Sequence, residues 1–280
     1  MEKNMCTKIS ELLKMVKTNK PLVHHITNYV TANDCANTVL AIGASPIMAD
    51  DEDEVADIVS LSSALVLNIG TLNSRTIASM LKAGVKANDL GIPVVLDPVG
   101  AGATALRSTT AERILRELKL AVIRGNMSEI KAVSGLGAAT KGVDVSTQDI
   151  AAAENPDYGK RIAENLASRL NCAVAITGAV DIVAGAGKTY FIANGHSMLS
   201  GITGTGCMCS SLIGAYCAVT EDYLSAATAG ILTMALAGEL AYERLPAEDR
   251  GAGSYRVKLF DALFQLTAED IRTRGRVREG

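Results

Sequence analysis

A short glycine-rich segment, Gly204-Thr205-Gly206-Cys207, runs directly into the apolar stretch MCSSLIGAYCAV, and the pattern predicts a helix over 204–219. Glycines at the start of a helix let the chain turn tightly, so that successive backbone N–H groups can point at one anion. The partial positive charge at the helix N-terminus adds to that attraction. Taken alone, the pattern also fits a glycine-rich helix start that binds nothing. The segment is therefore a candidate phosphate site that needs support from the rest of the chain.

Two other glycine patterns resemble nucleotide-binding motifs. The first, Gly185-Ala-Gly187-Lys188-Thr189, ends like a P-loop. The glycine that opens a P-loop would fall at Ile182, inside an apparent strand, and no helix follows. Short apolar stretches at 181–184 and 188–193 flank the glycines, so the pattern predicts a β-hairpin.

The second pattern, Gly100-Ala-Gly102-Ala-Thr-Ala105, follows an apparent strand and fits the looser dinucleotide-binding sequence G-x-G-x-x-A. It lies in mid-chain, directly after Asp97-Pro98. No acidic residue ends a strand about 20 positions later, where a dinucleotide-dependent enzyme needs one. A dehydrogenase is therefore the weaker interpretation.

The elements that would position these segments alternate along the chain. The predicted strands are 64–69, 93–96, 120–123 and 174–177, and the predicted helices are 73–90, 108–118, 127–134, 158–170, 204–219, 223–245 and 257 onward. Continuous apolar runs predict strands that are buried on both faces, which is typical of a parallel sheet covered by helices. The sequence therefore predicts one α/β domain over residues 1–280, with a mostly parallel central sheet flanked by helices, an antiparallel edge and a helical C-terminal third.

Composition limits the classes of function. The 280 residues are 48% hydrophobic and 20% charged, with a net charge of −3. Nucleic-acid binders usually carry a basic face, and the only basic run is Arg272, Arg274, Arg276 and Arg278, where a solvated or frayed C-terminal end is expected. The first 20 residues lack the features of a signal peptide. The chain contains no uninterrupted run of about 18 apolar residues, the length needed to span a bilayer. A cytoplasmic protein with no nucleic-acid or membrane partner is expected.

The cysteines and histidines give little sign of a metal site. The six cysteines are too sparse for a disulfide scaffold and lack the spacing of a zinc site, so most are expected to be small buried hydrophobes. His24 and His25 are adjacent, and in a strand they would face opposite sides and could not share a metal. One of them is expected to be structural, and neither to be catalytic.

Further motifs follow one another in the chain. They are His24-His25-Ile-Thr-Asn28-Tyr-Val-Thr31, Gly43-Ala-Ser-Pro-Ile-Met48, Leu67-Asn-Ile-Gly70, Leu96-Asp97-Pro-Val-Gly-Ala-Gly102, Arg124-Gly-Asn126-Met-Ser-Glu129 and Thr177-Gly178. With the 204–207 segment, they resemble the hydroxyethylthiazole kinases, a branch of the ribokinase superfamily, from about Pro21 to Gln265. The superfamily's anion-hole motif is Gly-x-Gly-Asp, and Cys207 stands where that Asp would be, a departure that this branch shares. The resemblance implies a ribokinase-like three-layer sandwich.

The resemblance also implies a metal and its ligands. Asn126 and Glu129 match the superfamily's N-x-x-E element, which helps to bind magnesium and orders its waters, and Asn126 is also expected beside the ATP phosphates. Asp97 resembles the second acidic partner of the metal and phosphates. Oxygen ligands suit Mg²⁺, which keeps several of its waters. Taken alone, Glu129 fits an ordinary helix face equally well, and Asp97 fits a cap on the turn at Pro98.

The ATP and substrate contacts follow from the same resemblance. Arg124 resembles the triphosphate-binding arginine and Thr177 the ATP-contacting threonine, and a planar guanidinium suits phosphate because it donates two hydrogen bonds at once. Asn28 and Met48 resemble the residues of the thiazole pocket, and the backbone of Gly204 would lie beneath the substrate hydroxyl. The alternatives are a surface ion pair for Arg124, a strand-end hydroxyl for Thr177 and core packing for Met48.

The implied reaction is ATP-dependent phosphorylation of the primary alcohol of 4-methyl-5-(2-hydroxyethyl)thiazole, which salvages the thiazole half of thiamine. The amides of residues 204–207 would receive charge that builds on the γ-phosphate. A general base typically contributes ~10² to 10⁴-fold. A thiol with an ordinary pKa near ~8.5 is mostly protonated at neutral pH; a helix N-terminus lowers that pKa and phosphate charge raises it. Cys207 is therefore expected to be a poor base, and the transfer to be slow.

Other readings stay open. Kinases of the same fold that act on hydroxymethylpyrimidine, pyridoxal or a sugar normally keep the Asp that Cys207 replaces. An ATP-dependent dehydratase of the same superfamily and a non-catalytic nucleotide-binding module are further alternatives. The resemblance also implies a homotrimer with active sites between subunits, in which Asn28 and Met48 reach the site from the neighbour of the chain that supplies Cys207.

Overall fold

The structure, a computed structural model, describes residues 2–135 and 156–280. Its strands are β1 (Leu22–Ile26), β2 (Ser45–Met48), β3 (Ala64–Asn68), β4 (Val94–Asp97), β5 (Val122–Asn126), β6 (Ala173–Thr177), β7 (Asp181–Gly185), β8 (Lys188–Ile192) and β9 (Val277–Glu279). The α-helices of the described residues are α1 (Glu2–Asn19), α2 (Ala32–Ala41), α3 (Val55–Leu61), α4 (Ser74–Asp89), α5 (Ala105–Glu117), α6 (Met127–Gly135), α7 (Pro156–Leu170), α8 (Thr205–Cys217), α9 (Tyr223–Glu243), α10 (Ala252–Gln265) and α11 (Ala268–Arg274).

The described strands form one nine-stranded sheet in the order β2-β1-β3-β4-β5-β6-β7-β8-β9. Strands β1 to β6 pair in parallel, and β7, β8 and β9 add an antiparallel edge. At the turn between β7 and β8, Ala186 and Gly187 both have positive φ angles, 48° and 74°. That backbone matches a tight hairpin turn, so the P-loop lookalike is a β-hairpin as predicted.

Helices cover both faces of the sheet. One core joins α1, α2, α8, α9, α10 and α11 to one face, and a second core joins α3, α4, α5, α6 and α7 to the other. Every residue of β3, Ala64–Asn68, is buried, because a parallel strand between two helical layers has no solvent-facing side. The predicted α/β architecture, with a mostly parallel sheet between helical layers, is confirmed.

Local signals set the ends of several helices. The side chain of Asn73 accepts a hydrogen bond from the N–H of Thr76, and the Thr76 hydroxyl accepts one from the N–H of Asn73, which is a capping box at the start of α4. Asparagine is one of the residues preferred at this position, because its side-chain oxygen accepts from a backbone N–H of the first turn. The long helix α9 begins at a simpler cap, in which the side chain of Asp222 accepts from the N–H of Ser225.

Among the described residues, α9 is long and apolar enough to cross a membrane. However, 94% of its apolar 18-residue window is buried inside the protein. Helices that are apolar all round are found in the cores of large proteins as well as in membranes. Here α9 is the central core helix of its layer.

The C-terminal end differs from the expectation of a solvated or frayed tail. Val277–Glu279 forms β9 and pairs with β8, and the chain there is not helical as expected. The Arg276 guanidinium donates to Ala193 O and to Glu239 Oε1, both at 2.6 Å, while Arg278 lies 4.2 Å from the ring centroid of Phe191. The prediction was wrong because a three-residue strand has too short a pattern to recognise, and its pairing partner lies about 85 residues earlier.

The histidines and cysteines behave largely as expected. His24 and His25 are both buried, and their ring nitrogens contact the carbonyl oxygens of Ala49 and Val23. Burial lowers the pKa of His25 to about 4, so this imidazole is neutral. Five of the six cysteines are buried, and Cys207 is half-buried.

Candidate active site

Polar side chains gather at the carboxyl ends of five neighbouring parallel strands. Asn28 follows β1, Asn68 ends β3, Asp97 ends β4, Asn126 ends β5 and Thr177 ends β6. The strand register sets Asn68 beside Asp97 and Asn126 beside Thr177. Ligands of open α/β sheets bind outside the carboxyl ends of the strands, so this edge is the candidate site.

The turn that begins α8 lies at the same edge. Gly204 has a φ of 89° and no side chain to cap the helix, and the first intrahelical bond runs from Met208 N to Gly204 O at 2.8 Å. The N–H groups of Thr205, Gly206 and Cys207 therefore have no acceptor within the helix. They are available to an anion, and the helix dipole favours its negative charge.

Neither glycine of this turn has room for a side chain unless a neighbouring side chain moves. A Cβ on Gly204 would stand 2.4 Å from Thr31 Cγ2, and a Cβ on Gly206 would stand 2.5 Å from Arg124 Nη1. The positive φ of Gly204 is a second reason for glycine there, because side chains rarely adopt it. The guanidinium of Arg124 thus packs directly against the turn that exposes the free amides.

Arg124 joins the two halves of this edge. Its side chain is 10% exposed, its Nη1 lies 3.6 Å from Asp97 Oδ2, and its Nη2 donates to Thr177 Oγ1 at 2.5 Å. Burial works to lower the pKa of Arg124, but the nearby Asp97 carboxylate raises it above its ordinary value. The guanidinium is therefore a fixed positive charge beside the anion-binding turn.

Asp97 has one oxygen committed and one free. Its Oδ2 accepts hydrogen bonds from Asn68 Nδ2 at 3.0 Å and from Ser210 Oγ at 2.8 Å, whereas its Oδ1 is buried without a partner. Burial raises the pKa of Asp97 to about 6, against the opposing effect of Arg124. A buried carboxylate oxygen without a hydrogen-bond partner is costly, so Oδ1 has the character of a ligand atom.

Glu129 ties two loops together. Its Oε2 accepts from the N–H of Asn126 at 2.8 Å, and its Oε1 accepts from the N–H of Gly100 at 2.9 Å. In return, Asn126 Oδ1 accepts from the N–H of Glu129 at 2.9 Å. This reciprocal cap starts α6 and fixes the loop that follows Asp97. Each carboxylate oxygen keeps a second lone pair for a further donor or cation.

Cys207 lies at the other end of the cluster. Asn28 Nδ2 donates to Cys207 Sγ at 3.3 Å. Burial, and secondly the charge of Asp97, raises the pKa of the Cys207 thiol, so the group is a neutral thiol at pH 7. The expectation that Asn28 reaches Cys207 from a neighbouring subunit is wrong, because the two side chains touch within one chain.

Met48 is not part of this cluster. It lies one strand further out, at the end of the edge strand β2, with its Cα in register with His25 and with 38% of its surface exposed. An exposed methionine at a sheet edge is available to another molecule.

A pocket of about 620 Å³ opens from the turn and Arg124 toward the antiparallel edge of the sheet. Its walls come from the loop at 178–181, the segment 193–200, and Met234 and Ala235 of α9. A cavity of this size suits a nucleotide or a molecule of similar size. Asp181 lies in the wall and accepts from the N–H of Gly178 at 2.9 Å; burial raises its pKa to about 7.

Sequence reasoning missed four residues of this region: Asn68, Asp181, His196 and Ser210. Asn68 lies within the quoted Leu67–Gly70 motif without a role assigned to it, and Ser210 lies one turn after Gly206, so both carried a positional signal. Asp181 and His196 carried none, because an isolated carboxylate and an isolated histidine are usually surface residues.

The donor set fits Mg²⁺ better than a metal caged by protein. Within residues 2–135 and 156–280, no group of three or more His, Cys, Asp or Glu side chains could hold a metal ion. Mg²⁺ usually takes only one or two carboxylates and completes its shell with waters and substrate phosphates. The unpartnered Asp97 Oδ1 beside the free amides meets that requirement.

Comparison with known proteins identifies the group to which this geometry belongs. The sequence profile of the hydroxyethylthiazole kinase family matches residues 13–269. The chain belongs to the hydroxyethylthiazole kinase family. The hydroxyethylthiazole kinase of Alkaliphilus oremlandii is 56% identical over 279 residues, which cover 100% of this chain and 99% of that protein.

Solved structures agree with this membership of the hydroxyethylthiazole kinase family. The hydroxyethylthiazole kinase of Pyrococcus horikoshii is 42% identical with a TM-score of 0.87, over 98% of this chain and 99% of that one. A ribokinase-like superfamily protein from Enterococcus faecalis has 10% identity and a TM-score of 0.58, over 89% of each chain, and shows likeness of fold alone. The ribokinase-like fold predicted from the sequence is therefore confirmed.

Proposed function

We propose that this chain transfers the γ-phosphoryl group of ATP to the primary hydroxyl of 4-methyl-5-(2-hydroxyethyl)thiazole, and that it does so as a single domain in the cytoplasm. Membership of the hydroxyethylthiazole kinase family supports the reaction and its role in thiamine salvage. The observation that carries the proposal is the set of free amides at 205–207, packed against the Arg124 guanidinium. The backbone amides and the guanidinium both create positive potential at the start of α8.

Arg124 and Thr177 would hold the triphosphate at the mouth of the 620 Å³ pocket. The guanidinium reaches Thr177 with one Nη atom and approaches Asp97 with the other, so it has a fixed orientation toward the pocket. An arginine fixed in this way presents its planar donors to phosphate oxygens without losing much side-chain entropy on binding. Asn126, at the end of β5, the strand that also carries Arg124, completes this side of the site.

Mg²⁺ would be held by Asp97 through its open Oδ1 and by Glu129 through the waters of the ion. When bound, Mg²⁺ neutralises negative charge on the triphosphate oxygens. Asp97 and Glu129 are themselves held by the chain, since Ser210 and Asn68 fix the first and two backbone N–H groups fix the second. Fixed ligands cost little reorganisation when a charged substrate enters.

The alcohol would lie between Asn28, Gly204 and Cys207. Phosphoryl transfer passes through a loose transition state that needs positioning and charge stabilisation more than covalent help. The amides of the turn would receive charge on the migrating phosphoryl group, and the bond to the leaving oxygen of ATP would break as the alcohol oxygen bonds to phosphorus. Because the thiol of Cys207 is neutral, the alcohol proton leaves late or passes to solvent or phosphate, and a slow turnover follows.

A homotrimer is part of the same proposal. The resemblance of this chain to the hydroxyethylthiazole kinases implies a trimer. The exposed Met48 on the edge strand β2 is in a position to face a neighbouring subunit. In this arrangement Asn28 and Cys207 come from one chain and Met48 from the next. Sedimentation equilibrium of the full chain measures the assembly, and a monomer at assay concentration would exclude it.

The second candidate function is phosphorylation of a different small alcohol. Such a kinase would bind ATP in the same pocket and would differ only in the acceptor that it takes. Solved pyridoxal kinases have the same fold at about 16% identity, which says nothing about substrate. Incubating the protein with Mg-ATP and separate samples of the thiazole alcohol, hydroxymethylpyrimidine, pyridoxal and ribose distinguishes them by mass spectrometry of the products. A phosphorylated thiazole alcohol is expected, and preference for another alcohol would overturn the proposal.

A further inference from the structure

Asn68 uses both ends of its side-chain amide, deep in the site. It is 2% exposed at the end of β3. Its Nδ2 donates to Asp97 Oδ2, and its Oδ1 accepts from Asn28 Nδ2, both at 3.0 Å. Since Asn28 Nδ2 also donates to Cys207 Sγ at 3.3 Å, four side chains form one hydrogen-bonded chain. It runs from the carboxylate at the phosphate side to the thiol at the alcohol side.

The direction of each bond in this chain is fixed by groups that cannot reverse their roles. A carboxylate only accepts, and a backbone N–H only donates. The N–H of Gly70 donates to Asn68 Oδ1 at 2.9 Å, and the N–H of Thr31 donates to Asn28 Oδ1 at 3.1 Å. Both amide oxygens are thereby assigned. The two N–H bonds of Asn28 must then point at Asn68 and at Cys207.

The Asn28 amide is held at both ends: its Oδ1 accepts from the N–H and the hydroxyl of Thr31, at 3.1 Å and 3.0 Å, and its Nδ2 donates to Asn68 Oδ1 and Cys207 Sγ. Asn68 Oδ1 is the oxygen acceptor on the Nδ2 side, so the placing of Nδ2 depends on it. The space around the pair is also full, because a Cβ on Gly70 would lie 2.9 Å from both Asn28 Cβ and Asn68 Oδ1. The bond to Cys207 Sγ uses a sulfur lone pair and leaves the thiol hydrogen to point elsewhere. The thiol also interacts with the side chains of Thr31 and Asn68, so Asn68 and Asn28 act on its position together.

We propose that Asn68 is a positioning residue for phosphoryl transfer, which fixes Asn28, and together with Asn28 the thiol of Cys207, relative to Asp97. This inference rests on the proposed kinase function. It assigns Asn68 no contact with substrate. Asn68 keeps Asn28 and Cys207, beside the alcohol, at a fixed distance from Asp97, beside the phosphates. Small displacements between reacting groups lower the rate of transfer.

A double-mutant cycle tests this coupling. Asn68→Leu, Asn28→Leu and the double variant are compared by kcat/KM for the thiazole alcohol at saturating Mg-ATP. Loss of one buried hydrogen-bonded partner is expected to lower kcat/KM by about 10- to 100-fold in each single variant. If Asn68 acts through Asn28, the double variant is no worse than the worse single variant. Losses that multiply would overturn the proposal.

Asn88→Leu is the matched control. Asn88 also spends both ends of its amide, on the N–H and the C=O of Lys119, but it lies at the opposite end of the sheet. It loses two hydrogen bonds without touching the site, so its kcat/KM should stay within about twofold of the wild type. If Asn68→Leu does not fold, Asn68→Ala takes its place in the cycle.

A crystal structure of the Asn68 variant gives a readout that needs no substrate. Asn28 is expected to turn its amide away from Cys207 Sγ, and an unchanged Asn28–Cys207 contact would contradict the proposal. The two hypotheses are separable. If the wild type phosphorylates no thiazole alcohol, the proposed function fails, whereas the crystallographic result still decides whether Asn68 positions Asn28.

Discussion

Gly206 and Arg124 are packed so closely that the turn and the guanidinium form one unit. A Cβ on Gly206 would lie 2.5 Å from Arg124 Nη1 and 2.9 Å from Nη2, which is closer than real Cβ contacts. The amides of the turn and the positive charge therefore keep a fixed separation, as a site for a charged phosphoryl group needs.

The first prediction concerns this packing. Gly206→Ala should force Arg124 away from the turn and break its bond to Thr177, lowering kcat/KM for ATP by about 100-fold or more. Gly253→Ala is the control, because a Cβ at Gly253 meets nothing within 4 Å. Steady-state kinetics of both variants decide the matter. Near-normal ATP kinetics in Gly206→Ala would show that the guanidinium position is unimportant.

The second prediction concerns the thiol. Because burial keeps the Cys207 thiol neutral, Cys207→Ala should retain substantial turnover. Cys207→Asp should keep or raise it, because a carboxylate at 207 can take up the alcohol proton and still accept from Asn28 Nδ2. Single-turnover rates with the thiazole alcohol are the measurement. A loss of more than about a thousandfold in the alanine variant would instead make the thiol indispensable.

The third prediction concerns magnesium. Glu129→Gln should weaken the dependence of rate on Mg²⁺, because it removes a charge that helps to order the waters of the ion. It should also lower stability slightly, since the new amide group faces a backbone N–H of Gly100 or Asn126. Rates measured across a Mg²⁺ titration test this, with the exposed Glu112→Gln as a charge-matched control. An unchanged Mg²⁺ response would remove Glu129 from the metal site.

The fourth prediction concerns pH and stability. Burial raises the pKa of Asp181 from 3.8 to about 7 in the folded protein. Its stabilising contribution is therefore fully present below pH 4 and is lost as the pH rises through about 7. Asp181→Asn keeps an oxygen acceptor for the Gly178 N–H and should gain stability over wild type across this range, by about 1.4 kcal/mol for each unit of pKa difference.

Urea unfolding of wild type and Asp181→Asn at pH 5 and pH 8 measures this effect. The exposed Asp53→Asn controls for the change of net charge. The same stability difference at both pH values would mean that Asp181 is not perturbed by burial.

The fifth prediction concerns the C-terminal strand. Arg276 holds Glu239, and Glu239 accepts from the N–H of Gly195 and from Asn194 Nδ2 in the pocket wall. Arg276→Met should therefore raise KM for ATP several-fold while kcat changes little, because under the proposed function this wall would contact the nucleotide and not the alcohol. Arg113→Met, on the exposed face of α5, is the control. An unchanged KM for ATP would separate the tail from the pocket.

Several parts of the site could be predicted without the structure. The glycine turn before α8 and the carboxylate of Asp97 at the end of β4 depend on a few consecutive residues. Glycine conformation, helix capping and burial of apolar strands are local effects, so the pattern is legible in the chain itself.

The sequence by itself determined the alternation of strands and helices between residues 64 and 177, the hairpin at 181–193 and the glycine turn before α8, because these depend on residues close together in the chain. Only the tertiary structure decided that Asn28 meets Cys207 in the same chain, that Ser210 holds Asp97 across 113 positions, and that the arginine-rich end pairs as a strand. The physical reason is register. Hydrogen-bond partners at the edge of a parallel sheet are set by how distant strands align, and no short pattern encodes that alignment.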